Sequence, residues 1–294
     1  MTHEFLPGFE ARDIETTGAC IHLAVGGSGP PLLMLHGHPQ THLTWHKIAS
    51  RLAERFTVIL PDLRGYGDSS KPEGGERHVN YSKRSMAADQ IEVMRALGFP
   101  CFDLVGHDRG ARVAHRMALD YPDAVQRIAV FDIAPTLTMY ERTNQEFATR
   151  YFWWFFLIQP APLPERMIAA DPEFFLRRHI TGQIKVPGAT SEALFAEYLR
   201  CYRNPATRHA ICEDYRAAST IDLDHDRADG DRRIEAPLLA LWGAQGTVGQ
   251  LYDVLETWRE KARDVRGRAL ECGHSPQEES PEETLRELFA FLSV

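Results

Sequence analysis

The sequence predicts an α/β fold, a mostly parallel, doubly wound sheet with a helical cap inserted after the strand that ends at Asp132. Three observations carry that expectation. Short, wholly apolar runs alternate with amphipathic stretches through residues 1–135, as in strands covered on both faces and joined by crossover helices. The alternation stops, and from 136 to 228 the chain turns helical and aromatic with no convincing strand. It resumes over 229–294. Residues 1–135 and 229–294 therefore read as the core, and 136–228 as a cap over the strand ends, where ligands bind in open sheets.

In order, Ile14 to Val25 carries alternating, β-rich patches broken at Gly18, and Gly26 to Pro30 is a turn, so an antiparallel hairpin opens the chain. Pro31–Leu35 is a buried strand ending in His36-Gly37-His38-Pro39. A helix from about Trp45 to Arg55 leads to a second buried strand, Phe56 to Leu60, and to a glycine-rich loop over 61–69. That loop is too short and wrongly spaced to cradle phosphate, and its expected role is structural. Ser82 to Leu97 places Met86, Ile91, Met94 and Leu97 on related faces of a crossover helix. Phe102 to Val105 and Val125 to Phe131 are further buried strands, separated by a helix from Ala111 to Tyr121. After the cap come Pro237 to Trp242, a strand near Arg268 to Leu270, and a closing helix from Pro281 to Leu292.

Composition sets the class of partner. The chain has 294 residues and a formal net charge of -8, which argues against a nucleic-acid binder, since those present basic surfaces. Residues 1–18 have no basic region followed by an apolar one, so no signal peptide is expected. The most apolar stretch, Tyr151 to Ile158, is too short to span a bilayer. The five cysteines are scattered, without the close pairs of a zinc site, and read as free thiols of a cytoplasmic protein. His42 and His46 have the i, i+4 spacing of a metal pair but no third ligand, so no metal is expected.

Gly106-His107-Asp108-Arg109-Gly110 sits between a strand and a helix with small residues at both ends, the pattern of a nucleophile elbow. The nucleophile position holds Asp108. An elbow needs a base and an acid from later in the chain, and His274, just after the last strand, is placed as the base. The loop after Trp242 contains no carboxylate, so Asp132 is the expected acid, with Asp222, Asp224 and Asp226 as the alternative.

His36-Gly37-His38-Pro39, Gly106 to Arg112, Val130 to Pro135, Trp153 to Gln159 and Gly273-His274 together resemble the haloacetate dehalogenases, fluoroacetate dehalogenases among them, of the α/β-hydrolase superfamily. The resemblance covers nearly the whole chain. It implies Asp108 as nucleophile, His274 as base, Asp132 as acid, Arg109 and Arg112 as the clamp on a small anionic substrate, and Trp154 and Tyr215 in the halide pocket. It also implies a homodimer with no cofactor. At Trp153 the fluoroacetate dehalogenases carry His, so this chain departs from one of the three halide ligands.

The chemistry follows from the residue types. A carboxylate displaces a leaving group from a saturated carbon and becomes an ester, which water deprotonated by His274 then attacks. The backbone N–H groups of His38 and Arg109 would face the oxyanion. Two like charges about 5 Å apart repel by roughly 3 kcal/mol at an effective dielectric of 20, so a haloacetate approaches Asp108 only if arginines reverse the balance, gripping its carboxylate in bidentate fashion. The alternative for Arg109 and Arg112 is pairing on a helix surface with acids such as Asp103 or Asp120. Trp153 is bulkier than His and cannot become charged, so chloro- and bromoacetate are expected to be favoured over fluoroacetate. The competing activities are an epoxide hydrolase, which usually has Trp after its nucleophile and two cap tyrosines, then a haloalkane dehalogenase. From another class, a non-catalytic ligand-binding module of the same fold is the remaining reading.

Overall fold

The computed structural model describes residues 4–292. Eight strands form one sheet: β1 (Glu10–Glu15), β2 (Cys20–Gly26), β3 (Pro31–Leu35), β4 (Thr57–Pro61), β5 (Phe102–His107), β6 (Val125–Phe131), β7 (Leu238–Gly243) and β8 (Val265–Leu270). Their order is β1-β2-β4-β3-β5-β6-β7-β8. The β1/β2 and β2/β4 pairs are antiparallel and the rest parallel. Leu32 to Leu35 and Leu104 to Val105 are fully buried, as strands covered on both faces must be.

The helices ahead of β6 are α1 (Ala49–Leu52), α2 (Lys83–Ala96) and α3 (Arg109–Asp120). Between β6 and β7 the chain is helical without a strand: α4 (Thr136–Glu141), α5 (Gln145–Arg150), α6 (Phe152–Phe156), α7 (Leu163–Ala170), α8 (Pro172–Gln183), α9 (Glu192–Tyr202), α10 (Pro205–Ala218) and α11 (Ile221–Asp229). The chain closes with α12 (Thr247–Leu251), α13 (Val254–Arg259), α14 (Pro276–Glu279) and α15 (Pro281–Leu292). No described helix is long and apolar enough to cross a membrane.

Two local expectations are corrected. The opening hairpin begins earlier, at Glu10, and turns over 16–19, where the Thr16 hydroxyl bonds the Ala19 carbonyl. The helix expected from Trp45 to Arg55 is instead a 3-10 turn, His42–Trp45, followed by the single turn of α1. Trp45, Ile48, Ala49 and Leu52 are all buried at helical spacing, but Asp62 takes the His42 N–H and its imidazole at 2.9 Å each. That anchor fixes the start of the turn, and the three-residue bonds from His46 to Leu43 and from Ile48 to Trp45 stand where a continuous helical ladder was expected.

α3 is the buried axis of the molecule. Every residue from Arg109 to Leu119 is buried, because β3, β5 and β6 cover one side and α2 packs beside it, while Asp214, Asp226 and Asp229 reach its arginines from the helical segment. The polar residues on its outer face must therefore find partners. Arg116 pairs with Asp120, Asp226 and Asp229; His115 packs edge-on against Trp258, and its Nε2 is left without a hydrogen-bond partner among the described residues.

The turn from β5 into α3 places Asp108 at φ 46°, ψ -113°, a region that costs a non-glycine residue of order 1–3 kcal/mol. Close packing holds it there. A Cβ on Gly106 would lie 2.5 Å from Ala111 Cα, and one on Gly110 would overlap the carbonyl oxygens of Leu35 and His36. These contacts are backbone and cannot swing aside. Gly110→Ala is accordingly expected to destabilise by about 1–3 kcal/mol, read as a lower urea midpoint; a midpoint equal to wild type would contradict this packing.

Candidate active site

The turn into α3 directs Asp108 towards the ends of β3 and β6. Its Oδ1 accepts the backbone N–H of His38 at 2.9 Å, and Gly37 makes the approach feasible, since a Cβ there would sit 2.5 Å from that of Asp108. The Arg109 N–H, the second expected donor, forms no hydrogen bond to this oxygen. Asp108 Oδ2 lies 3.8 Å from His274 Nε2. Burial raises the Asp108 pKa, but the charges of His274, Arg109 and Arg112 outweigh it and hold the carboxyl below its ordinary range. It is ionised at neutral pH.

His274 and Asp132 come together as the sequence suggests. Asp132, at positive φ just past β6, takes the Gly243 N–H on Oδ1 at 2.9 Å and His274 Nδ1 on Oδ2 at 2.5 Å. Burial lowers the His274 pKa, yet the Asp132 hydrogen bond and the charges of Asp132 and Asp108 more than reverse this, leaving it raised. The alternative acids lie elsewhere: Asp222 beside Lys83, Asp224 with Arg77, Asp226 with Arg116.

The loop carrying His274 is fixed by groups to which sequence reasoning assigned nothing. His107 donates from Nε2 to the His274 carbonyl at 2.8 Å, and Gln183 at the end of α8 takes the His274 N–H at 3.2 Å. Glu279 accepts the N–H groups of Gly273 and Ser275 and those of Lys185 and Val186, tying the loop to the helical segment. The Ser-x-x-Glu pattern of 275–278 announces a helix start, but nothing in it points across to residues 185 and 186.

Both arginines are buried, and neither pairs with Asp103 or Asp120, whose partners include Arg127 and Arg84. Arg109 is already engaged. Its Nε and Nη2 bond the Asp214 carboxylate at 2.8 Å each, and Nη2 also bonds the Asp214 carbonyl at 2.9 Å. Asp214 in turn takes the Tyr66 hydroxyl at 2.6 Å and Lys83 Nζ. The expected free bidentate fork is thereby corrected: only Nη1 of Arg109 is left without a partner. Arg112 has no carboxylate partner among the described residues. Its Nη1 bonds Ala134 O and Thr136 Oγ1 and its Nη2 meets Met139 Sδ, leaving Nε unpartnered. Burial and the charge of Arg109 lower its pKa, with Asp108 opposing. An added anion would relieve both.

Trp154 and Tyr215 pack against the two arginines. The Arg112 guanidinium lies 4.7 Å over the Trp154 ring and that of Arg109 4.2 Å over the Tyr215 ring, and Trp154 Nε1 is buried without an acceptor. The Tyr215 hydroxyl is 3.3 Å from His38 Nδ1, and the Tyr202 hydroxyl 3.3 Å from His38 Nε2. Burial lowers the His38 pKa to about 3, so the imidazole is neutral and donates to one phenol while accepting from the other. Trp153 turns away from Trp154, packing edge-on against His179, itself 4.6 Å from the His38 ring. With Phe152, Phe156, Phe174 and Phe175 it lines an outer apolar cleft of about 530 Å³.

An acid on a strand-to-helix turn, faced by a histidine that a second acid holds, at the carboxyl ends of a mostly parallel sheet, defines a class. The chain belongs to the α/β-hydrolase family, whose sequence model, described as the alpha/beta hydrolase fold, matches residues 30–281. Within that family it is fluoroacetate-dehalogenase-like, being 45% identical over 291 residues to the fluoroacetate dehalogenase of Burkholderia sp., with 97% of this chain and 94% of that protein covered. It is also 35% identical to the soluble epoxide hydrolase of Corynebacterium sp. strain C12, over 90% of this chain and 91% of that one. Among solved structures, a Salmonella enterica protein provisionally called an acyltransferase superposes with a TM-score of 0.98 at 62% identity, covering 99% of this chain and 97% of that one.

Two outcomes follow from this geometry. Asp214→Ala leaves the buried Arg109 without its partner and is expected to destabilise by about 3–5 kcal/mol, measured by urea unfolding; a loss below 1 kcal/mol would show that the pair is replaceable. Asp108 is one of the charges that raise the His274 pKa, so Asp108→Asn should lower that pKa, followed by NMR titration of the imidazole. An unchanged titration would mean that the two side chains are not electrostatically coupled.

Proposed function

We propose that this hydrolase is a dehalogenase of short 2-haloacids, converting a haloacetate to glycolate and halide through an ester on Asp108. The observation that carries this reading is a set of buried donors beside an ionised carboxylate: Arg109 Nη1, Arg112 Nε and Trp154 Nε1 make no hydrogen bond within the chain. Buried donors without acceptors cost about 1–3 kcal/mol each, and a substrate with a carboxylate at one end and a departing halide at the other satisfies them. Because Asp214 compensates Arg109, Arg112 supplies the net charge that offsets repulsion between substrate and Asp108.

Asp108 Oδ2 attacks the carbon bearing the halogen, the carbon–halogen bond breaks, and the halide departs with the bonding pair towards Trp154 Nε1 and Tyr215. Oδ1, still on the His38 N–H, becomes the ester carbonyl. His274 Nε2 takes a proton from water as the water adds to Cγ, and the oxyanion forms on Oδ1. Collapse expels the alkoxide carrying the original Oδ2, which takes the proton back from His274. The second water proton leaves Asp108 for solvent, so water and haloacid yield hydroxy acid, halide and a proton. The raised His274 pKa suits this order. Esterification removes the Asp108 charge, the imidazole becomes easier to deprotonate, and a neutral base is present when water must be activated.

Trp153 supports a preference for chloride and bromide over fluoride, since only Trp154 and Tyr215 remain as halide donors and fluoride depends most on donors as it leaves. A second reading, epoxide hydrolysis, is favoured by Tyr215, a buried phenol near Asp108 that can hydrogen-bond an epoxide oxygen; the rise of its pKa through burial and the charge of Asp108 keeps it protonated but makes it a weak acid.

The test is halide release from fluoro-, chloro- and bromoacetate, with an epoxide and a chloroalkane alongside. Chloro- and bromoacetate should lead; turnover of the epoxide alone would replace the dehalogenase reading. With His274→Ala, the protein incubated with chloroacetate should gain the mass of a carboxymethyl ester on Asp108, and a folded variant without the adduct would remove the covalent route.

A further inference from the structure

One buried polar group beside the arginines takes no part in the chemistry above. Tyr140 lies on α4, its hydroxyl is buried, and it makes no hydrogen bond within the chain. Its ring packs on Trp154 at 5.1 Å and 45°, and Trp154 is the indole over which the Arg112 guanidinium sits. The same helix orients Arg112: Thr136 Oγ1 and Met139 Sδ bond its two terminal nitrogens. α4 therefore holds the guanidinium with two residues and sets Tyr140 next to them. Burial raises the Tyr140 pKa to about 12, with Arg109 and Arg112 opposing and Asp222 and Asp214 adding to the rise. The hydroxyl is protonated at neutral pH and lies within the field of both arginines.

Four buried donors thus share this region without an acceptor: Arg109 Nη1, Arg112 Nε, Trp154 Nε1 and Tyr140 O–H. The first three have roles in the reaction proposed above. We infer that Tyr140 is a binding residue for the substrate carboxylate, its O–H donating to the group that Arg109 and Arg112 hold. The inference rests on the carboxylate reading of the site and adds a third side chain to it. A hydroxyl of this kind discriminates by charge: its hydrogen bond to a carboxylate oxygen is about twice as strong as one to the carbonyl of a neutral amide in the same place.

The test compares wild type with Tyr140→Phe, which removes one oxygen and keeps the ring on Trp154. Binding of acetate and glycolate is measured by calorimetry or NMR titration, alongside turnover of chloroacetate and of neutral 2-chloroacetamide. Loss of a hydrogen bond to a charged group is expected to weaken acetate and glycolate by about 10- to 100-fold. KM for chloroacetate should rise with little change in kcat, while chloroacetamide loses clearly less than chloroacetate and the thermal midpoint stays as in wild type. If wild type prefers acetate to acetamide and Tyr140→Phe binds acetate equally well, this inference alone is overturned. Equal losses for chloroacetate and chloroacetamide also overturn it, showing a packing role. A wild-type protein that binds acetate no better than acetamide overturns both this inference and the carboxylate reading.

Discussion

The buried pair between Arg109 and Asp214 is the interaction on which the site depends. Neither side chain has measurable exposure, and burying two charges is favourable only when geometry and further hydrogen bonds compensate their desolvation. Here they do: two parallel N–H donors meet the carboxylate, a third reaches the Asp214 carbonyl, and Tyr66 and Lys83 complete its shell. The pair joins α3, which follows Asp108, to α10, which carries Tyr215. It fixes the separation between the turn that holds Asp108 and the aromatic wall opposite.

That fixation decides which atoms are free for chemistry. With Nε and Nη2 of Arg109 spent on Asp214, one nitrogen remains, and the uncompensated charge passes to Arg112, whose partners are all neutral. The consequences run outward through α4 and Trp154, where polar hydrogens collect without acceptors. On the opposite side of Asp108, Glu279 and His107 hold the His274 loop by its backbone, and Asp132 holds its imidazole. Asp108 thus has the fixed His274 imidazole beside one oxygen and the buried arginines, Trp154 and Tyr215 nearby, the arrangement on which the proposed reaction rests.

Much of the site was legible from local pattern and chain order. Gly106 to Gly110 announced the turn because close backbone packing admits little else there, and His274 and Asp132 followed from their places after strands. The helical insertion was visible because the strand rhythm stopped at Pro135 and resumed near Pro237. The helix expected from Trp45 to Arg55 was misread for a physical reason: apolar spacing shows which residues are buried, and it does not show where the backbone tightens to the three-residue bonds from His46 to Leu43 and from Ile48 to Trp45.

What the sequence by itself determined is the fold class and the residues on which the proposed chemistry rests: an aspartate in the elbow turn, a histidine and a second acid arriving in order, and two arginines one helical turn apart. Those features are encoded over a few residues, where steric rules and hydrogen-bond valence act locally. What only the tertiary structure decided is how the charges are spent. Asp214 lies 105 positions from Arg109, and Glu279 more than 90 from Lys185 and Val186. Electrostatic pairing depends on distance through space and on burial, so only folding reveals that Arg109 is paired with a carboxylate, that Arg112 meets only neutral groups, and that the Tyr140 hydroxyl beside them makes no hydrogen bond within the chain.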